Sequence, residues 1–270
     1  MCYPAGSDRS SKFPYPDFEA CANTRPLTGS IHKGARRRVR RSREVSARTV
    51  SSDRWKNPTP HRLRDQRGPS IEDAYDEALN VPYILAKIRA AESEHYSAAI
   101  IDCFGDPGLD AARELVEMPV IGVAQSACYL AAQIAPRFSI INTVREFVHI
   151  DRELVVKYGL SQHVVSVITI DIPVLTLEAE QKRTVSALVE ATEGAVREDG
   201  AQAVVLGCTG MSSLVAPLKK QLARRGLAAP VIEPVRAAVY TATSWVFCGL
   251  SQSKEAFMPP RAKRRVDFPT

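Results

Sequence analysis

The sequence predicts an α/β fold built on parallel sheets, and three observations carry that prediction. From about residue 70 onward, short apolar runs alternate with amphipathic helical stretches. The runs are nearly continuous in apolar residues, as strands are when helices cover both faces of a sheet. One local plan, an apolar strand ending in cysteine and then a glycine-containing turn, occurs twice.

The elements follow in order. Ser70-Ile71-Glu72-Asp73-Ala74-Tyr75-Asp76-Glu77 reads as an N-cap at Ser70 followed by acids that suit the positive end of a helix dipole. A helix near 82–94 leads into a first strand at 98–102. Further strands are expected at 120–123, 138–141, 164–170, 203–206 and 231–232. The helical stretches between and after them fall near 108–117, 124–135, 145–158, 178–198, 212–225 and 235–249. Pro119 and Pro230 stand at strand starts, where the missing N–H costs nothing. Gly200 and Gly226 close helices.

Charge divides the chain. Residues 1–69 hold 16 Lys and Arg against 6 Asp and Glu, a net of +10, while residues 70–270 hold 20 against 24, a net of −4. The first 69 residues therefore read as a basic leader without lasting periodicity, almost continuous arginine over 36–43. Such a leader has the outward look of a transit peptide or of a phosphate-binding segment. No aromatic stacking set or known module accompanies it, so a solvated stretch is expected and nucleic acid is not an expected partner. Residues 70–260 form the folded body, and 261–270 a short basic tail. No apolar run reaches the roughly 18–20 residues that span a bilayer, and no secretory signal opens the chain. A cytoplasmic protein with no membrane partner is the expectation. The six cysteines contain no CxxC pair, which fits neither a zinc knuckle nor a disulfide framework, and the five histidines do not cluster. Reduced thiols and no metal are expected.

The two cysteine turns carry the chemistry. Ala99-Ile100-Ile101-Asp102-Cys103-Phe104-Gly105-Asp106-Pro107-Gly108 and Val204-Val205-Leu206-Gly207-Cys208-Thr209-Gly210-Met211 each run from buried strand to cysteine to glycine, with a helix to follow. Open parallel sheets take ligands beyond the carboxyl ends of their strands. A thiol placed there, before a helix N-terminus, can drop from about 8.5 into roughly the 3.5–7.5 range. Two such thiols on either side of a crevice suit inversion of a carbon acid. One thiolate removes a proton from one face, and the opposing thiol returns one to the other. Backbone N–H groups of the glycine turns are the expected donors to the developing enolate oxygen. Asn142-Thr143 ends another strand and is expected to reach the same crevice. The plainer reading of any free cysteine is a small core residue, and Cys128 and Cys248 read that way. Asp102 is expected on the face opposite Cys103, and Asp106 has turn formation as a competing role.

The strings Cys103-Phe104-Gly105-Asp106-Pro107-Gly108-Leu109-Asp110-Ala111-Ala112-Arg113-Glu114-Leu115 and Val205-Leu206-Gly207-Cys208-Thr209-Gly210-Met211 resemble the hydantoin/allantoin racemase branch of the aspartate/glutamate racemase superfamily. The similarity runs from about Gly68 to Pro260 and includes Pro119-Val120-Ile121-Gly122-Val123 and Phe138-Ser139-Ile140-Ile141. The resemblance implies two pseudo-symmetric Rossmann-like lobes with the active site in the cleft between them. It implies racemisation beside a carbonyl without metal or other cofactor, a small-molecule substrate, and a tendency toward homo-oligomers. Cys103 and Cys208 match the two catalytic cysteines, with Phe104, Gly105, Asp106, Thr209 and Gly210 in the substrate-holding loops. Two positions depart from the family's habit. Gln125 stands where an acid is frequent, and Glu233-Pro234 where Asp-Gly is common. Members also begin with a strand ending in an Asn-Pro-Asn-Thr-like turn, of which Asn57-Pro58-Thr59 is a faint echo, so the leader reads as a divergent extension or an out-of-frame start. Two rival readings share the fold: a maleate-type cis–trans isomerase, which also uses two cysteines, and a non-catalytic binding homologue.

Overall fold

In a computed structural model of the chain, residues 47–51, by their backbone, and residues 70–263 are described. The order is β1 (Ala47–Ser51), α1 (Ala74–Ser93), β2 (Tyr96–Ile101), α2 (Leu109–Leu115), β3 (Val120–Gly122), α3 (Val123–Ile134) and β4 (Phe138–Asn142). Then come α4 (Val148–Lys157), β5 (Val164–Thr169), α5 (Gln181–Arg197), β6 (Ala203–Leu206), α6 (Val215–Arg224), β7 (Val231–Ile232) and α7 (Pro234–Phe247). They build two sheets, β1-β2-β3 and β5-β4-β6-β7. All pairings are parallel except that of β1 with β2.

Side-chain parity shows why these runs form buried strands. In β2, Ala98 and Ile100 pack with α7, while Ala99 and Ile101 pack with α1 and α2. In β6, Ala203 and Val205 join the core shared with α3 and α4, while Val204 and Leu206 join that of α5 and α6. Both faces of each strand are thus consumed by apolar contact. β5, one of the two edge strands of its sheet, is the exception and is only half-buried along its length.

Two helices exchange sheets. α3 leaves β3 of the first sheet and packs its Ala124, Ala127 and Ala131 into the core of the second. α7 leaves β7 of the second sheet and packs Ala238 and Ala242 on the first. This reciprocal crossing fixes the carboxyl ends of β2 and β6 beside each other.

Three sequence expectations are corrected. α1 starts at Ala74, capped by Asp73, whose carboxylate accepts from Asp76 N at 2.8 Å; Ser70 instead donates to Glu72. Pro82 lies inside this helix, and the carbonyl it leaves without its helical partner belongs to exposed Ala78. The sequence reading has no strand before residue 70, yet β1 occupies 47–51, antiparallel to β2. β2 offers a row of N–H and C=O groups on that edge, which the backbone of β1 pairs. The arginine run and Asn57-Pro58-Thr59 lie outside the described residues.

Candidate active site

Cys103 and Cys208 border one cavity. Its volume is about 40 Å³, and its wall also takes in Asp102, Phe104, Asn142, Thr143 and Thr209. A space so small brings any group within it against both turns. The turns are also tied directly, Thr209 Oγ1 donating to the Asp102 carbonyl oxygen at 3.4 Å. Each sulfur is served in the same way: Gly105 N–H binds the Cys103 sulfur, and Gly210 N–H binds that of Cys208 at 3.3 Å. The repeated Cys-x-Gly spacing therefore has a physical meaning, an N–H two residues on that favours thiolate.

The cavity's remaining wall is held from behind. Asn142 donates to Asp151 at 2.7 Å, and its side-chain oxygen accepts from the Thr143 N–H and hydroxyl at 2.7 and 3.2 Å. Gly207 allows this, since a Cβ there would lie 2.9 Å from Asn142 Cγ. A larger groove of about 710 Å³ runs between α3 and α7, bordered by Arg113, Tyr129 and Trp245. His163 lines it, but no thiol or carboxylate does, whereas the smaller cavity is bordered by two cysteines.

The profile described as Asp/Glu/Hydantoin racemase matches residues 61–242, a span that contains both cysteine turns. The chain belongs to the Asp/Glu/hydantoin racemase family. It is 45% identical over 195 residues to a hydantoin racemase of Rhizobium meliloti, which covers 72% of this chain and 79% of that protein. Among solved structures it is similar to allantoin racemase from Klebsiella pneumoniae, with 41% identity, a TM-score of 0.68 and coverage of 73% and 79%. Allantoin racemase from Pseudomonas fluorescens follows at 28% identity, TM-score 0.65 and coverage of 74% and 83%. The chain is thus an isomerase of the racemase class.

Not every residue singled out in the sequence of this racemase reaches the cavity. Gly105, Asp106 and Gly210 are absent from its lining. Gly105 and Gly210 spend their N–H groups on the sulfurs, not on a substrate oxygen. Asp106 turns away: its carboxylate takes the N–H groups of Ala124 and Gln125 at the start of α3 and the Tyr158 hydroxyl. Asp102 borders the cavity beside Cys103, and its carbonyl oxygen is the atom that meets Thr209. Gln125 accepts from Arg113 at 2.7 Å, and Glu233 caps α7, so both unusual residues serve packing.

The racemase's first thiol also behaves unlike its sequence suggests. α2 begins only at Leu109, too far along to act on Cys103. Burial pushes the Cys103 thiol well up, partly offset by Gly105 N–H and reinforced by Glu77, Cys208 and Asp106. Cys128 is buried in α3, and burial raises its thiol too.

Two acids behind the site escaped the sequence reading. Burial pushes Glu77 up to about 7 and Asp151 up to about 8. A signal for each was present. Glu77 lies on the same stripe as Asn80, Ile84, Ile88 and Ala91, and Asp151 precedes Leu154 by one turn on the buried face of α4.

Proposed function

We propose that this racemase inverts a stereocentre beside a carbonyl in a cyclic ureide or amino-acid derivative of the hydantoin or allantoin type, with Cys103 and Cys208 as its two bases. One observation carries the reading: Cys103 and Cys208 both border a single cavity of about 40 Å³, each with a glycine N–H to steady its thiolate. The names of the relatives supply the substrate class.

In one direction the Cys208 thiolate takes the proton. The C–H bond breaks, an S–H bond forms, and the electron pair moves onto the carbonyl oxygen. Cys103 then gives its proton to the opposite face, breaking its S–H bond and closing the new C–H bond. The enzyme ends with the two roles exchanged, ready for the other enantiomer. Cys103 starts as the donor because burial holds it as thiol. Thr143 and Thr209, whose hydroxyl protons go to Asn142 and Asp102, offer their hydroxyl oxygens as acceptors for the ureide N–H groups, and Phe104 packs against its ring.

Cys103→Ser and Cys208→Ser are each expected to lower racemisation about 10³-fold, measured by chiral chromatography. In heavy water, a single variant is expected to exchange deuterium into one enantiomer only. Full turnover in both variants ends the reading. A panel of hydantoins, allantoin and maleate tests the substrate class, and turnover of maleate alone replaces racemisation by cis–trans isomerisation.

A further inference from the structure

Glu77 is placed oddly for a surface helix. It sits on the first turns of α1, yet its Oε1 is buried and has no hydrogen-bond partner. An unsatisfied buried carboxyl oxygen costs stability. The space it fills exists because residue 105 is glycine: a Cβ there would collide with Glu77 Oε1 and stand 3.2 Å from Phe147 Cζ. Gly105 is also the residue whose N–H binds the Cys103 sulfur. The carboxyl is therefore lodged directly behind the sulfur's own donor.

We infer that Glu77 is a positioning residue for Cys103, its carboxyl setting by its own charge whether that sulfur holds a proton. The role within catalysis rests on the two-cysteine reading above. The groups that face Glu77 are acidic: Asp106 from the cysteine turn, Asp151 and Glu153 from α4, and Cys103 itself. Those that face Cys103 are Glu77, Asp106 and Cys208, and Arg113 and Tyr158 act on Asp106. With like charges gathered, Cys103 buried and Glu77 Oε1 out of water, Glu77 and Cys103 resist being ionised together. Burial and the neighbouring acids push Glu77 up to about 7, so its charge changes near neutral pH while it stands beside the Cys103 turn. A neutral Glu77 allows the Cys103 thiolate; an ionised one keeps the thiol.

The test follows the sulfur without substrate. In the full chain labelled with carbon-13 at cysteine Cβ, the Cys103 resonance is assigned by its loss in Cys103→Ser and followed against pH. The wild type is expected to show an inflection near neutrality, from Glu77, before the thiol itself ionises. Glu77→Gln is expected to lose the inflection and to move the thiol midpoint down by about one unit, a tenfold change in thiolate. An unchanged midpoint overturns the inference. Should Glu77→Gln not fold, the wild-type curve decides alone, and a single-step titration overturns it. Failure of racemisation by the two cysteines leaves this measurement untouched, so the two ideas fall separately.

Discussion

Tyr158 donates to Asp106 at 2.6 Å, joining the end of α4, which packs on the second sheet, to the cysteine turn of the first. The same carboxylate takes the N–H groups of Ala124 and Gln125 at 3.0 and 2.8 Å. One side chain thereby fixes the Cys103 turn, the first turn of α3 and the close of α4. The position of Cys103 relative to Cys208 is set through that carboxylate, not through the strands alone. Asp106 adopts φ of 47°, a left-handed conformation that aspartate tolerates better than most residues.

Tyr158→Phe is expected to destabilise the fold by about 1.5–3 kcal/mol, the usual worth of a hydrogen bond to a charged group. The ring remains, so packing is kept and only the bond is lost. Urea denaturation near pH 7.5 measures it, with an unchanged m value. A midpoint equal to wild type would mean that the two N–H donors of α3 suffice.

Gly207→Ala is expected to cost about 1–3 kcal/mol and to slow turnover as well. Its methyl would meet Asn142 Cγ at 2.9 Å and Nδ2 at 3.0 Å. Asn142 cannot withdraw without breaking its 2.7 Å bond to Asp151. The strain falls one residue before Cys208, so activity and melting temperature drop together. Wild-type values for both would show that Asn142 moves freely.

Glu233→Ala separates support from chemistry. Glu233 accepts from Val235 and Arg236 N–H groups at 2.9 and 2.7 Å and from Ser212 Oγ at 2.6 Å. Loss of such a cap costs about 1–2 kcal/mol. It does not line the cavity, so kcat/KM is expected to stay within about threefold of wild type at temperatures where the fold holds. A far larger loss would place Glu233 in the path of the substrate.

The strands were legible because burial on both faces writes itself as unbroken apolar runs: 203–206 and 231–232 fall where the sequence puts them. Both cysteines were legible for the same reason, each standing just past such a run. Asp106 was not, since its local string fits a substrate loop equally well and its partners lie 18, 19 and 52 residues away. β1 was invisible because its place depends on the open edge of β2, a tertiary fact. Glu77 and Asp151 were hidden by habit: acids on a helix read as solvated unless their stripe is counted.

Asp151 makes stability depend on pH in a stated direction. Burial pushes its carboxyl up to about 8, against about 3.9 in an unfolded chain. Between those values the native state binds the extra proton, so stability is fully present in acid and falls as pH rises through the window. Glu77, pushed up to about 7, adds a contribution of the same sign. Asp151→Asn keeps an acceptor for the Asn142 amide but carries no charge. The variant is therefore expected to exceed wild type by about 1–3 kcal/mol near pH 8.5 and to match it near pH 4. Thermal unfolding across that range gives the slope directly. Equal slopes for the two proteins would mean that Asp151 is ionised in the fold.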